Sequence, residues 1–292
     1  MFEGAMTALI TPFRDGQVDF DRLAENVRYQ IDHGIDGLVP TGTTGESPTL
    51  SHQEHDRVIE TVVEAAAGRV PVIAGTGSNS TAEALRLTRH AKEAGVDAAL
   101  LVNPYYNKPT QEGLYRHFMK IADDVGLPIV LYNIPGRTAV ALAPETLARL
   151  AKHPKIVAVK EATGSLDMAS EIGAACGDRL AIISGDDSLT LPLMAVGAKG
   201  VISVVANLLP QRVKALVQTA AAGDFAAARK IHFELLPLFI GCLKLATNPI
   251  PIKTAMQIVG RDTGELRLPL CEMSATDRAK LEKLLDKLAI PA

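Results

Sequence analysis

Cysteine is scarce: the 292 residues include three, Cys176, Cys242 and Cys271. They lie far apart and match neither a disulfide framework nor a paired metal spacing, so their expected role is as small apolar residues in a reducing compartment. An excess of charge is also missing. Lys and Arg number 30 against 33 Asp and Glu, a formal net charge of -3, which leaves no basic surplus to hold a nucleic acid backbone and no acidic tail. No apolar run is long enough to cross a bilayer. The opening MFEGAMTALITPF carries Glu3 and no basic stretch before its apolar residues, and so does not read as a signal peptide. These absences leave small-molecule chemistry in a cytoplasmic protein, with no nucleic acid or membrane partner.

What is present is a repeated unit. Apolar residues make up 47% of the chain, enough for a large core, and the length suits either two domains or one α/β barrel. Up to residue 222 a short aliphatic run, a polar or Gly-containing turn and a helix-period stretch closed by Gly recur. The strand candidates are MTALIT, GLVPTG, PVIAGTG, AALLVNP, PIVLYN, IVAVKE, LAIISGD and GVISVVA. Near-continuous apolar strands imply a parallel sheet covered on both faces, and this number of them favours a TIM (β/α)8 barrel over a doubly wound sheet. Between strands, Ser51 and Glu54 form a capping box ahead of Val58, Ile59, Val62, Val63 and Ala66, with Gly68 as the stop. Leu114, Phe118, Ile121 and Val125 make a second stripe that Gly126 ends. Residues 223–292 lack strands and read as a helical region packed on the catalytic barrel of residues 1–222.

In such a barrel, catalytic groups come from the C-terminal ends of strands. Lys160 ends IVAVKE after a run of aliphatic residues. Removing water from an ammonium favours the free amine, and free amine attacks carbonyls, so Lys160 is a candidate Schiff-base nucleophile. A strand-end cation paired with a carboxylate is the alternative. Alternation puts Lys160 on the side of Ala158 and turns Glu161 away. Tyr132 ends the preceding strand, close enough for its phenol to shuttle protons. The stretch GTTGES, Gly42 to Ser47, offers close backbone approach and adjacent N–H groups to a carboxylate, although Gly-Thr loops also make ordinary turns.

GTTGE at 42–46, NPYYNKPTQEGLY at 103–115, YNIPGRT at 132–138, KEATG at 160–164 and SGDD at 184–187 together resemble the dihydrodipicolinate synthase family, within the N-acetylneuraminate lyase and class I aldolase superfamily. The resemblance spans nearly the whole chain. It implies condensation of pyruvate with L-aspartate 4-semialdehyde in diaminopimelate and lysine biosynthesis, through an imine on Lys160, with no cofactor and no metal. It assigns proton movement to Tyr132, Thr43 and Tyr106, the last reaching across a dimer interface. It further implies that Thr44 holds the pyruvate carboxylate, that Gly185 and Ile202 line the pocket through their main chains, and that the Arg137 fork holds the aldehyde substrate's carboxylate. A homotetramer built as a dimer of dimers is expected.

The same resemblance implies an inhibitory lysine site at the dimer interface, formed by Ser47, His52, His55, Asn79, Glu83 and Tyr105. Pro48 departs from that pattern and removes a backbone donor. Taken alone, His52 and His55 would merely decorate the first turn of a helix. A second lysine in apolar surroundings, Lys253 of NPIPIKTAM, is assigned to packing with its charge snorkelling to water.

Overall fold

The computed structural model describes residues 2–290. The barrel strands are β1 (Gly4–Ala8), β2 (Gly37–Val39), β3 (Ile73–Gly75), β4 (Ala98–Val102), β5 (Ile129–Asn133), β6 (Ile156–Glu161), β7 (Ala181–Ser184) and β8 (Gly200–Ser203). All pair in parallel, in the order β2, β1, β8, β7, β6, β5, β4, β3. A parallel bridge between Leu38 and Val72 brings the two ends together, so the sheet rolls into the expected eight-stranded barrel. A small antiparallel hairpin, Phe13–Arg14 with Gln17–Val18, follows β1.

Alternation along the strands sorts side chains into two cores. Met6, Ala8, Val39, Ile73, Ala98, Leu100, Val130, Tyr132, Ala158, Ala181, Ile183 and Ile202 fill the barrel interior. Their strand neighbours pack outward against helices in a single larger cluster. Each buried aliphatic side chain in these layers contributes about 1.5–3 kcal/mol relative to exposure.

The helices around the barrel are α1 (Phe20–Asp32), α2 (His52–Ala66), α3 (Thr81–Glu93), α4 (Gln111–Val125), α5 (Pro135–Thr138), α6 (Pro144–Leu150), α7 (Leu166–Cys176), α8 (Thr190–Ala195) and α9 (Pro210–Ala221). The capping box of α2 forms as expected, Ser51 accepting from the Glu54 N–H while Glu54 accepts from that of Ser51. Its stop begins one residue early: Ala67 already adopts the left-handed conformation at φ 50°, ahead of Gly68 at φ 69°. Helix α4 buries Leu114, Phe118, Ile121 and Val125 and ends on left-handed Gly126. Beyond residue 222 come α10 (Phe225–Lys244), α11 (Ile250–Ile258) and α12 (Ala275–Lys287). Their buried faces, including Leu235, Phe239, Ile252 and Leu281, join the outer core of the barrel. No helix among the described residues is long and apolar enough to cross a membrane.

Candidate active site

Strand register puts Lys160 beside Tyr132 on the inner wall: the two residues are direct partners in the pairing of β5 with β6. Lys160 is only 6% exposed. Its ε-nitrogen lies 4.3 Å from the centroid of the Tyr132 ring, and among the described residues no carboxylate forms an ion pair with it. Glu161 faces the other way, as strand alternation requires. There its carboxylate accepts from Asn133 Nδ2 at 3.2 Å and from the Thr163 N–H at 2.6 Å, which fastens the turn that follows β6.

Gly185 follows β7 and lies against the lysine stem. A Cβ at this position would come within 3.1 Å of both Cγ and Cε of Lys160 and 2.8 Å of the Ala162 Cβ. The absence of a side chain at Gly185 therefore shapes the space in which Lys160 extends. Ile202 is buried in the inner cluster at the end of β8. Just beyond it, Asp187 Oδ2 accepts from the N–H groups of Val204 at 3.0 Å and Val205 at 3.1 Å, pinning the turn after β8. Burial pushes the Asp187 carboxyl up to about 6, against the opposing pull of its hydrogen bonds.

The Gly42–Ser47 loop closes over the strand ends. Thr11 Oγ1 donates to the Gly45 carbonyl at 2.7 Å, and Thr44 Oγ1 accepts from Asn248 Nδ2 at 3.0 Å. With that lone pair engaged, the Thr44 hydroxyl proton remains available to an incoming anion. Arg137 donates from Nη2 to the Asn248 carbonyl at 3.3 Å, so Asn248 touches both residues expected to hold substrate carboxylates.

A cavity of about 480 Å³ opens here, lined by Thr43, Tyr132, Ile134, Arg137 and Thr138. The lining of the same cavity also includes Ser47, Pro48, His52, His55, Glu83 and Tyr105. The two expected sets of residues thus share one continuous space. Lys160, Thr44, Gly185, Ile202 and Asn79 do not line it: Lys160 instead packs against the ring of Tyr132, which does, and Asn79 donates from Nδ2 to the Tyr105 carbonyl at 3.3 Å. Tyr106 is 88% exposed, with a left-handed backbone at φ 69°, and stands outside the cavity of its own chain.

Within the second set, Glu83 accepts from Ser78 and from His52 Nε2, the latter at 2.9 Å. Those hydrogen bonds, Ser78 foremost, hold its carboxyl below the ordinary value. His55 is buried rather than decorating the helix surface: Nε2 donates to the Gly75 carbonyl at 2.9 Å. Burial drives its pKa from 6.5 to about 4.

Lys253 corrects the expectation of a snorkelling charge. Its side chain has 0% exposure and its Nζ donates to Glu46 Oε1 at 2.7 Å and to the Thr11 carbonyl at 2.9 Å. The helical region closes over Thr11 and Glu46 and leaves the stem no path to water. Glu46, Asn248 and Asp187 were not singled out by the sequence reading. For Glu46 a signal existed, because a lysine among apolar residues that cannot reach water requires a buried acid. Among the described residues, no three His, Cys, Asp or Glu side chains gather as a metal site.

Comparison with known proteins agrees with this geometry. Residues 1–288 match the model of the Dihydrodipicolinate synthetase family. The 4-hydroxy-tetrahydrodipicolinate synthase of Geotalea daltonii is 57% identical over 281 residues, covering 96% of this chain and 97% of its own. Among solved structures, dihydrodipicolinate synthase from Aquifex aeolicus superposes with a TM-score of 0.98 at 52% identity, over 99% of both chains. The enzyme from Cyanidioschyzon merolae with lysine bound superposes with a TM-score of 0.96 at 38% identity, also over 99% of each. The chain belongs to the dihydrodipicolinate synthetase family, lyases of the class I aldolase type.

Proposed function

We propose that this chain carries out its family's reaction, the condensation of pyruvate with L-aspartate 4-semialdehyde to 4-hydroxy-tetrahydrodipicolinate in diaminopimelate and lysine biosynthesis, through an imine on Lys160. The observation that carries this reading is the Lys160 amine, 6% exposed, free of any carboxylate partner among the described residues, and 4.3 Å from the Tyr132 ring centroid. Its nitrogen attacks the pyruvate ketone and water leaves as the imine forms. The protonated imine draws electrons from the neighbouring methyl group, so a methyl proton departs and an enamine results. The electron sink is thus the imine itself, in place of an external cofactor.

The enamine carbon then bonds to the aldehyde carbon of the second substrate, whose oxygen takes a proton and becomes the hydroxyl. The substrate's own amine attacks the imine carbon, closing the ring and releasing Lys160. Tyr132 moves the protons, with Thr43 and a Tyr106 from a neighbouring subunit as relay partners. Thr44 donates to the pyruvate carboxylate and Arg137 grips the carboxylate of the aldehyde substrate, while Gly185 and Ile202, outside the open cavity, bound the space around the Lys160 imine through their main chains.

Residues 1–222 form the catalytic barrel and residues 223–292, of which the last two lie outside the described residues, are its helical support. The enzyme works in the cytoplasm as a homotetramer, a dimer of dimers, in which exposed Tyr105 and Tyr106 meet a second copy. Ser47, His52, His55, Asn79, Glu83 and Tyr105 hold an inhibitory lysine, with Glu83 facing its ammonium. In the test of the central reading, purified chain is given both substrates and the cyclic product is measured. Lys160→Arg abolishes its formation, and undiminished product from that variant would refute the covalent course.

A further inference from the structure

Helix α11 reaches the Gly42–Ser47 loop at two points. Asn248, just ahead of the helix, donates to Thr44 Oγ1 at 3.0 Å. Lys253, within it, donates to Glu46 Oε1 at 2.7 Å, and neither side chain of this ion pair has any exposed surface. The ammonium also bonds the Thr11 carbonyl and lies 4.2 Å from the centroid of the Phe13 ring. The second Glu46 oxygen accepts from the Arg267 N–H at 3.2 Å.

Stability alone does not account for this pair. Desolvating two charges consumes most of what their attraction returns, and apolar side chains of similar volume commonly serve as well. What the pair does fix is a backbone. Glu46 holds a left-handed conformation at φ 52°, uncommon for a residue with a Cβ and maintained only where the surroundings impose it. Three donors, Lys253 Nζ, the Arg267 N–H and, through Gly45, Thr11 Oγ1, fix this end of the loop. Thr43 and Thr44 are the residues immediately before it.

We propose that Lys253 is a positioning residue for pyruvate capture: through its buried pair with Glu46 it sets where Thr43 and Thr44 stand relative to Lys160. This rests on the reading of that loop as the part that holds pyruvate. The C-terminal helical region is then a component of the active site, acting through Lys253 and Asn248 without touching substrate.

The experiment uses borohydride trapping of pyruvate on Lys160 as a function of pyruvate concentration, alongside steady-state kinetics. The double variant Glu46→Gln/Lys253→Met removes both charges of the pair at nearly constant volume, and the neighbouring buried Asp262, already pushed up by burial and held down by Lys253, takes up a proton in its place. It is expected to raise the pyruvate concentration for half-maximal trapping by about tenfold or more, since an ångström of misplacement at an active site costs on the order of a hundredfold. The KM for the aldehyde changes by less than about threefold, because only the pyruvate contacts shift. A purely structural pair would move the melting temperature and leave pyruvate saturation alone.

A half-saturation within about threefold of wild type in the folded double variant overturns the proposal. Glu46→Asp keeps both charges but shortens the acid by one methylene and drags the loop, so it decides the matter if the double variant does not fold. The same rise is expected, and saturation like wild type overturns the proposal. Absence of any Lys160 adduct in the wild-type protein would instead remove the underlying reading of Lys160.

Discussion

The ε-nitrogen of Lys160 stands 4.3 Å from the centroid of the Tyr132 ring, and the two residues are register partners on adjacent strands. The pairing of β5 with β6 thereby fixes both the amine and the phenol to rigid strand backbone. A ring face attracts a cation, and the proposed reaction passes through a cationic imine at this nitrogen. In that proposal the same side chain suits the intermediate with its ring and serves proton transfer with its hydroxyl.

Tyr132→Phe separates these two roles. The ring stays and the phenol goes, so turnover falls by about 10²- to 10⁴-fold, the usual worth of a positioned general acid or base. Borohydride trapping of pyruvate on Lys160 persists at a reduced rate. Steady-state turnover with both substrates, compared with trapping by pyruvate alone, checks this. Turnover within a factor of about three of wild type would remove Tyr132 from proton transfer.

Gly185→Ala places a methyl group within 3.1 Å of the Lys160 stem and 2.8 Å of the Ala162 Cβ. Overpacking of this kind costs about 1–3 kcal/mol, and part of it is relieved by displacing Lys160. Denaturant unfolding should show the lost stability, and pyruvate trapping should fall with it. A variant as stable and as readily trapped as wild type would mean that the lysine does not occupy this space.

Acid weakens the fold through His55. Burial drives its pKa from 6.5 to about 4, opposed by the hydrogen bond to Gly75. Below about 6.5 the unfolded chain binds a proton that the folded chain refuses, so this contribution is intact above that pH and is lost as pH falls through about 4. Burial raises Asp187 and Asp262 to about 6, and these groups favour the fold on the acid side. His117 shifts in the same direction as His55. A comparison with His55→Gln cancels all three. Between pH 7 and 5 the wild-type protein should lose about 2 kcal/mol more stability than the variant. Equal losses would show that His55 is not held neutral.

Much of this molecule was legible in its sequence, and for identifiable reasons. The parallel strands announced themselves as unbroken aliphatic runs, and α2 and α4 through caps and periodic stripes. Lys160 stood out because a charge ends a buried strand. Helix-period reading failed at Lys253, since it locates a side chain on one helix and says nothing about what another segment will lay over it. Its partner Glu46 lies 207 residues away, a separation no local pattern spans. Asn248 was missed for the same reason: its importance comes from touching Thr44 and Arg137, which only the folded chain brings together. Tyr106 is 88% exposed, and the role the resemblance implies for it lies in an assembly, beyond what one chain displays.

Lysine added to the turnover assay tests the second set of residues. Ser47, His52, His55, Glu83 and Tyr105 line the same cavity as Tyr132 and Arg137. If that set holds lysine as proposed, bound lysine lowers turnover, and Glu83→Ala, which removes the carboxylate proposed to face its ammonium, weakens that inhibition by roughly ten- to a hundredfold, the worth of a hydrogen bond to a charged group. Turnover unchanged at high lysine would remove the inhibitory site.

The central claim is chemical, that one amine inside the barrel forms a covalent bond to pyruvate. Borohydride reduction in the presence of pyruvate, followed by peptide mass mapping, reads this directly. The expected result is one pyruvate-derived adduct per chain, on the peptide containing Lys160, and none in Lys160→Arg. An adduct on Lys253 or another lysine, or no adduct in a folded and active protein, would contradict it.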